Sequence, residues 1–231
     1  MNNIENKKNI SNSLLIALLL SIAGGFLDSY SYLVRSETFA TMQTGNMINC
    51  VLRLLNKDLT GFMFLLPVLS FSIGIIIAIL INHGLSKKNS CFKYISLIIE
   101  ILSMVAAGFI PLGQFNFIVT MLIAFTSAIQ IETFKDVEGM SFASTMCTGN
   151  LKSAMENIGN FIVNHQKENI IRCLKYILII ITFLFGITIG YVFVGLFNQY
   201  AILFTIIIYV VVLMILLIFN FKNKNKVLQN S

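Results

Sequence analysis

The sequence of 231 residues has little charge, since Asp, Glu, Lys and Arg make up only 11% of it while 57% is hydrophobic. A soluble domain carries about 25% charged residues, so this composition excludes an ordinary globular protein. The mean hydropathy of +0.85 agrees with that exclusion. The low charge predicts a chain that lies for most of its length inside a lipid bilayer.

The sequence also lacks the residue groupings of common catalytic and metal sites. Its four cysteines are scattered singly, without a Cys-x-x-Cys pair, which argues against a disulfide framework and against a zinc site. His83 and His165 fall in predicted loops and have no acidic or Cys neighbours at ligand spacing. No Gly-x-Ser-x-Gly, His-Glu-x-x-His or P-loop pattern occurs. We therefore expect no enzyme activity, no bound metal and no cofactor.

What the sequence does contain is a set of long apolar stretches. They lie near residues 14–33, 61–82, 93–112, 115–133, 172–195 and 199–221. Each is close to the ~20 residues that a helix needs to cross ~30 Å of hydrocarbon. Because the backbone in lipid must satisfy its own hydrogen bonds, these stretches are predicted to be helices. The expectation is an all-α membrane protein with six transmembrane helices.

The distribution of basic residues predicts the orientation. With the N-terminus inside, only Arg35, Arg53 and Lys57 of the 16 Lys and Arg residues fall outside. This is a strong positive-inside bias, and it places both termini in the cytoplasm. An eight-span arrangement would put the Lys87-Lys88 loop outside, so six spans are preferred. The first apolar stretch also resembles a signal peptide, but we expect it to be retained because it belongs to a duplicated helix pair.

One stretch occurs twice in the sequence. Thr-Met-Gln-Thr-Gly-Asn at residues 41–46 returns as Thr-Met-Cys-Thr-Gly-Asn at residues 145–150, an offset of 104 residues. The same offset carries Asp28 onto Glu132, so one acidic residue precedes each copy at the same distance. We interpret this as an internal duplication. Three spans in each half reverse the orientation of the second copy, which gives inverted-topology repeats.

The duplication divides the chain into four parts. Residues 1–13 form a polar cytoplasmic segment, 14–112 the first membrane repeat, 113–221 the second, and 222–231 a basic cytoplasmic tail. Within each repeat a short broken or re-entrant helix is predicted to start at the Thr-Gly-Asn motif. The first half of 34–60 is too polar for an ordinary span, so this helix either re-enters the membrane or lies along its surface.

The pattern Gly25-Phe26-Leu27-Asp28, followed by Phe39-Ala40 and Thr44-Gly45-Asn46 in a six-span chain, resembles the YoaK-like family of bacterial membrane proteins (domain of unknown function 1275). The resemblance covers nearly all of residues 14–221. It implies a small integral protein of the bacterial plasma membrane, and it implies no established reaction. Glu132 departs from the amide or small residue expected at its position in the family's second motif.

Three acidic residues are candidates for chemistry inside the membrane. Asp28 lies about two-thirds along the first span, where an ionised carboxylate costs at least ~2.5–3.5 kcal/mol. Either it binds a proton or cation, or it bonds to the broken backbone near Thr44. Glu132 either takes part in a site or reaches the interface beside Lys135. Glu100 ranks third, with an ion pair to Lys93 as its structural alternative.

The two motif copies have a clear physical use. Thr is a good N-cap, Gly lets a ligand approach the backbone, and a helix N-terminus presents free N–H groups. The alternative is a structural helix start that was copied with the gene. The predicted solute or ion site lists these residues: Asp28, Gln43, Thr44, Gly45, Asn46, Gln130, Glu132, Thr148, Gly149 and Asn150.

These features favour a small secondary transporter of a polar solute or ion, with its site between the two motif copies and with possible proton coupling through Asp28. The alternative is a non-transporting sensor, scaffold or assembly protein, and a channel or membrane-embedded enzyme ranks lower. The expected partners are the bilayer, a small polar solute or ion and, in a homo-oligomer, a second copy of the chain. The net charge of +6 is explained by orientation, so no nucleic acid is expected.

Overall fold

The structure, a computed structural model, describes residues 13–85 and 89–229. The predicted polar segment before Ser13, the Lys87-Lys88 pair and the last two residues lie outside the described residues. The described chain is almost entirely helical, as the apolar composition predicted.

Each of the six predicted apolar stretches lies in a helix, and a further helix begins at each motif copy. The part of the chain that the structure describes has eight α-helices: α1 Leu14–Val34, α2 Gln43–Leu55, α3 Leu65–Gly84, α4 Asn89–Phe109, α5 Asn116–Thr133, α6 Cys147–Asn164, α7 Lys167–Phe197 and α8 Thr205–Gln229. Two 3-10 segments, Leu59–Phe64 and Asn198–Phe204, precede α3 and α8. The prediction that these stretches are helical is thus confirmed, and the observed helix ends differ from the predicted ends by a few residues.

A short β-hairpin in the second half was not predicted. Strands β1 Asp136–Val137 and β2 Met140–Ser141 pair antiparallel between α5 and α6. The turn residues Glu138 and Gly139 both have positive φ, 50° and 80°, as two-residue type I′ hairpin turns require. The hairpin therefore shapes the connection that leads into the second motif copy.

Five stretches of the described chain are long and apolar enough to cross a membrane. They are Leu14–Val34, Leu59–Gly84, Cys91–Phe109, Asn116–Thr133 and Lys167–Phe221. Many large apolar side chains of these helices are exposed, for example Leu69, Ile76 and Leu80 along α3. In water such faces would be unfavourable, whereas lipid tails cover them. The chain is a multi-pass membrane protein.

Glycines allow the closest helix contacts. α1 packs along α7, and α3 packs along α5. A Cβ at Gly25 would overlap the Phe183 carbonyl, and a Cβ at Gly186 would overlap the Ile22 carbonyl. On the other pair, a Cβ at Gly74 would lie 2.6 Å from the Phe125 oxygen. These glycines therefore let α1 approach α7, and α3 approach α5, within one chain.

A buried arginine joins the end of α1 to the turn between α4 and α5. The Arg35 side chain is fully buried, although its position suggested an external loop. It donates hydrogen bonds of 2.8–3.2 Å to the hydroxyl of Tyr30, the carbonyls of Ala107, Ile110 and Pro111, and the amide oxygen of Asn116. Since α4 ends at Phe109, the guanidinium lies at the negative end of that helix dipole.

Candidate functional site

The two motif copies line one cavity. Its volume is about 540 Å³, and its wall includes residues 41–45 of the first copy, residues 145–149 of the second, and Val68, Phe71 and Ser72 of α3. The copies are 104 residues apart in sequence. The fold brings them together because α2 and α6 both begin at this place. Of the predicted residues, Gln43, Thr44, Gly45, Thr148 and Gly149 line the cavity.

Each motif helix begins one residue before the Thr-Gly-Asn sequence. The N-cap residues are Met42 and Met146, and neither makes a side-chain cap hydrogen bond. The prediction of a threonine N-cap is therefore wrong, because Thr44 and Thr148 already lie in the first helical turn. The first N–H groups of a helix have no acceptor within it. Both of these helix starts thus present backbone donors beside the cavity.

Asp28 holds the loop that precedes the first helix. Its Oδ1 accepts from the Thr41 backbone N–H at 2.8 Å, and its Oδ2 accepts from the Thr41 hydroxyl at 2.5 Å. The Asp28 side chain is buried and does not line the 540 Å³ cavity. The carboxylate therefore acts on the cavity through Thr41, which does line it. The bonds from Thr41 to Asp28 match the structural alternative given above for Asp28, in which its carboxylate bonds to the backbone near Thr44.

The asparagines of both copies make the same contact. The Asn46 amide donates to the Phe39 carbonyl at 2.7 Å, and the Asn150 amide donates to the Ala143 carbonyl at 2.8 Å. Phe39 and Ala143 are also 104 residues apart. Both asparagines are buried behind the cavity wall. They fix the loop against the first helical turn, and neither asparagine lines the cavity.

The second copy is anchored differently from the first. The Gln130 amide donates to the Ser144 hydroxyl at 2.7 Å. Thr145, the counterpart of Thr41, is 2% exposed, and its hydroxyl has no hydrogen-bond partner among the residues that the structure describes. Thr145 also packs closely against Gly24, where a Cβ would lie 2.7 Å from its methyl group. The second copy therefore holds a buried hydroxyl that its own loop does not satisfy.

The other acidic candidates lie away from the cavity. Glu132, at the position equivalent to Asp28, forms an ion pair with Lys135 at 2.6 Å. Glu100 is buried in α4, where one carboxyl oxygen accepts from Ser96 at 3.2 Å and the other has no partner among the described residues. Its proposed partner Lys93 is not the group it bonds. The structure thus brings neither Glu132 nor Glu100 to the motif copies.

The cavity wall carries no charged side chain among the described residues. The one position at which the copies differ is Gln43 in the first and Cys147 in the second, and both line the cavity. Burial, and next the nearby Asp28 carboxylate, raise the pKa of the Cys147 thiol to about 11. The described part of the chain has no group of three His, Cys, Asp or Glu residues that would hold a metal ion.

A smaller cavity of about 210 Å³ lies on the other side of Met42, between α1 and α7. Asp28 lines this cavity, together with Tyr32, Phe183 and Tyr191. Met42 belongs to both walls. Asp28 therefore contacts one open space directly and the larger one through Thr41.

The site list drawn from the sequence omitted Thr41, Ser144 and Thr145. Thr41 and Thr145 are identical in the two copies, and that identity was a usable signal. Ser72 of α3 was also absent from the list, and nothing in its sequence surroundings marks it. Helix packing alone brings it to the cavity.

The family model described as "Protein of unknown function (DUF1275)" matches residues 16–216, so the chain belongs to this family. This confirms the resemblance drawn from the Asp28 and Thr-Gly-Asn pattern. Comparisons with curated proteins and with solved structures give no match.

Proposed function

We propose that this protein, a member of a family of unknown function, is a secondary transporter. Its solute or ion site would be the cavity between the motif copies. The observation that carries the proposal is that the first five residues of each motif copy, 104 residues apart, line the same 540 Å³ space. Broken helices whose N-termini meet at one site are typical of secondary transporters. A duplicated helix start with only a structural role would not need to meet its copy.

Inverted repeats are part of this proposal. If α1 to α4 correspond to α5 to α8 in order, the contact of α1 with α7 corresponds to that of α5 with α3. Both contacts are extensive, and both have glycines at their closest points. The shared Asn46 and Asn150 contacts support the same correspondence. Alternating access would arise when the two halves exchange conformations around the cavity.

The proposed topology has six crossings in a bacterial plasma membrane, with both termini in the cytoplasm. The candidate stretch Lys167–Phe221 has 55 residues, which is more than twice the ~20 residues of one crossing. It contains α7 and the larger part of α8, with Asn198 at a positive φ of 49° between them. We assign one crossing to each of these helices. α2 and α6 would then enter the membrane from opposite faces without spanning it.

Asp28 is the proposed coupling group. A proton on its carboxyl would remove a negative charge and replace an acceptor with a donor. Both Asp28 oxygens accept from Thr41, so protonation would loosen the loop that forms one side of the cavity. A bound proton could in this way change the cavity without contact between Asp28 and the solute.

Alternating access is tested by labelling from each face of sealed vesicles. A variant that retains only Cys147 would react with a membrane-impermeant maleimide at pH 8.5, and a variant that retains only buried Cys50 is the control. We expect Cys147 to react from both faces, because each conformation opens the cavity to one side. Labelling of Cys147 from one face only would contradict the transporter and favour the scaffold or sensor.

A further inference from the structure

Four sulfur-containing side chains line the cavity between the motif copies. Met42 and Met47 come from the first copy and its helix, and Met146 and Cys147 come from the second. The three methionines are 38–47% exposed, and the free Cys147 is half-buried. Thioethers and a thiol from both halves of the chain therefore border one open space of about 540 Å³.

Two of these methionines hold equivalent positions. Met42 and Met146 are 104 residues apart, and they are the N-cap residues of α2 and α6. Ser, Thr, Asp or Asn would stabilise a helix at this position, whereas an apolar residue does not. Contact with lipid would be made equally well by Leu, which has a similar volume. Neither capping nor lipid contact therefore explains two exposed methionines here, and a shared role of their sulfur atoms in the cavity does.

The charged side chain that acts on this wall is negative. The Asp28 carboxylate lies behind Thr41 and acts electrostatically on Cys147. Each of the two helix N-termini carries roughly half a positive charge, so the two together offset the charge of Asp28. A monovalent cation bound to a deprotonated Cys147 then leaves the cavity close to neutral, whereas a divalent ion would leave an excess positive charge.

Oxygen ligands for a hard cation are few in the wall. Gln43 uses its amide N–H on the Ala40 carbonyl at 3.0 Å and its oxygen on the Asn46 amide at 3.0 Å. Asp28 directs both of its oxygens to Thr41. Hard cations such as Mg²⁺ bind through oxygen, whereas Met and Cys select soft metal ions such as Cu(I). The donor set of the cavity therefore fits a soft cation.

We propose that the cavity binds a soft monovalent metal cation, Cu(I), through the thioethers of Met42 and Met146 and the sulfur of Cys147. Met47 lies on the same wall and offers a further thioether. On binding, the Cys147 thiol releases its proton to water as the Cu–S bond forms, and no electron is transferred. This inference rests on the proposed transport function and names its substrate.

The test is Cu(I) binding by the purified, reduced protein without oxygen, in competition with the coloured chelator bathocuproine disulfonate. Each variant retains Cys147 as its only cysteine. Met42→Leu with Met146→Leu removes both thioethers and nearly keeps the side-chain volume. Met63→Leu with Met155→Leu is the matched control, because these methionines are 46% and 49% exposed and do not line the cavity. We expect Cu(I) affinity to fall by about tenfold or more in the first pair only.

Two further variants separate a built site from binding by any thiol. Cys147→Ser with both methionines kept should also weaken Cu(I) binding by about tenfold or more. A variant that retains only Cys91, which is half-buried and outside the cavity wall, should bind Cu(I) more weakly than the one that retains only Cys147. Equal affinity of these two single-cysteine proteins, or of the two methionine pairs, would overturn the metal assignment.

The metal assignment and the transport function fail in different ways. Cys147 labelling from both faces without Cu(I) binding would overturn the metal assignment and leave the transporter. Cu(I) binding that depends on Met42 and Met146, together with labelling of Cys147 from one face only, would overturn transport and favour a metal sensor.

Discussion

The two connections that lead into the motif helices have the same sequence at their ends and different anchors in between. The first, residues 35–42, is held by the buried charges of Arg35 and Asp28. The second, residues 134–146, is held by a hairpin, by the Lys175–Glu138 ion pair and by the Gln130–Ser144 bond. The two motif copies thus share the helix start and its asparagine, and the connections that lead into them are held by different contacts.

The first connection is therefore more constrained in its conformation than the second. Buried charged groups depend on their hydrogen bonds, so the first connection tolerates little movement. The second is held by neutral or partly exposed groups, and the hydroxyl of Thr145 has no hydrogen-bond partner within residues 13–85 and 89–229. We infer that the second motif copy moves more readily when the cavity changes shape.

The largest expected effect comes from Arg35. Arg35→Met would leave the Tyr30 hydroxyl and the carbonyls of the α4–α5 turn without their donor, at about 1–3 kcal/mol for each unsatisfied group. We expect a fall of about 3 kcal/mol or more in unfolding free energy, measured by thermal or denaturant unfolding in detergent. The control is Arg53→Met, since Arg53 pairs with Glu37 and Asp58 at the surface and should cost under about 1 kcal/mol. Equal losses of unfolding free energy in Arg35→Met and Arg53→Met would contradict a stabilising role for the buried Arg35 hydrogen bonds.

The second prediction compares the equivalent acids. Asp28→Ala removes both acceptors from Thr41 and should destabilise the fold by about 2–3 kcal/mol. Glu132→Ala removes an ion pair with a Lys135 side chain that is 61% exposed, so its cost should stay below about 1 kcal/mol. Unfolding of both variants under one condition checks the order. If Glu132→Ala lowered the unfolding free energy more than Asp28→Ala, Asp28 would not anchor its motif copy more strongly than Glu132 does.

The asparagine pair gives a smaller and graded effect. Asn46 makes three hydrogen bonds, two to Phe39 and one to Gln43, whereas Asn150 donates one, to Ala143. Asn46→Ala should cost about 2 kcal/mol and Asn150→Ala about 1 kcal/mol, on the scale of about 1 kcal/mol per bond. Hydrogen exchange of the two connecting segments would show which loop each variant loosens. Equal loosening of both loops by either variant would contradict independent anchoring.

Much of the fold followed from the sequence, and the site followed in part. Apolar length alone predicts the helices, because lipid leaves the backbone no other partner. The repeated Thr-Gly-Asn predicted part of the cavity wall, since identical polar residues between apolar stretches are improbable by chance. The bond from Asp28 to Thr41 joins residues 13 positions apart and depends on the path of the connection between α1 and α2, which periodicity does not describe. Arg35 looked like a loop charge for the same reason: its acceptors are carbonyls more than 70 residues away.

The smallest effect concerns the one position at which the copies differ. Because the pKa of Cys147 is raised to about 11 by burial and by Asp28, the reactive thiolate is scarce at pH 7. Maleimide labelling in detergent should accelerate about tenfold for each pH unit from 7 to 9, in proportion to the thiolate fraction. Asp28→Asn removes the negative charge, lowers the Cys147 pKa and should speed labelling at fixed pH by a few-fold. A charge-preserving Asp28→Glu variant controls for loosening of the loop. If Asp28→Asn left the rate unchanged while the protein stayed folded, Asp28 would not act electrostatically on the second copy, and its link to the cavity would be limited to Thr41.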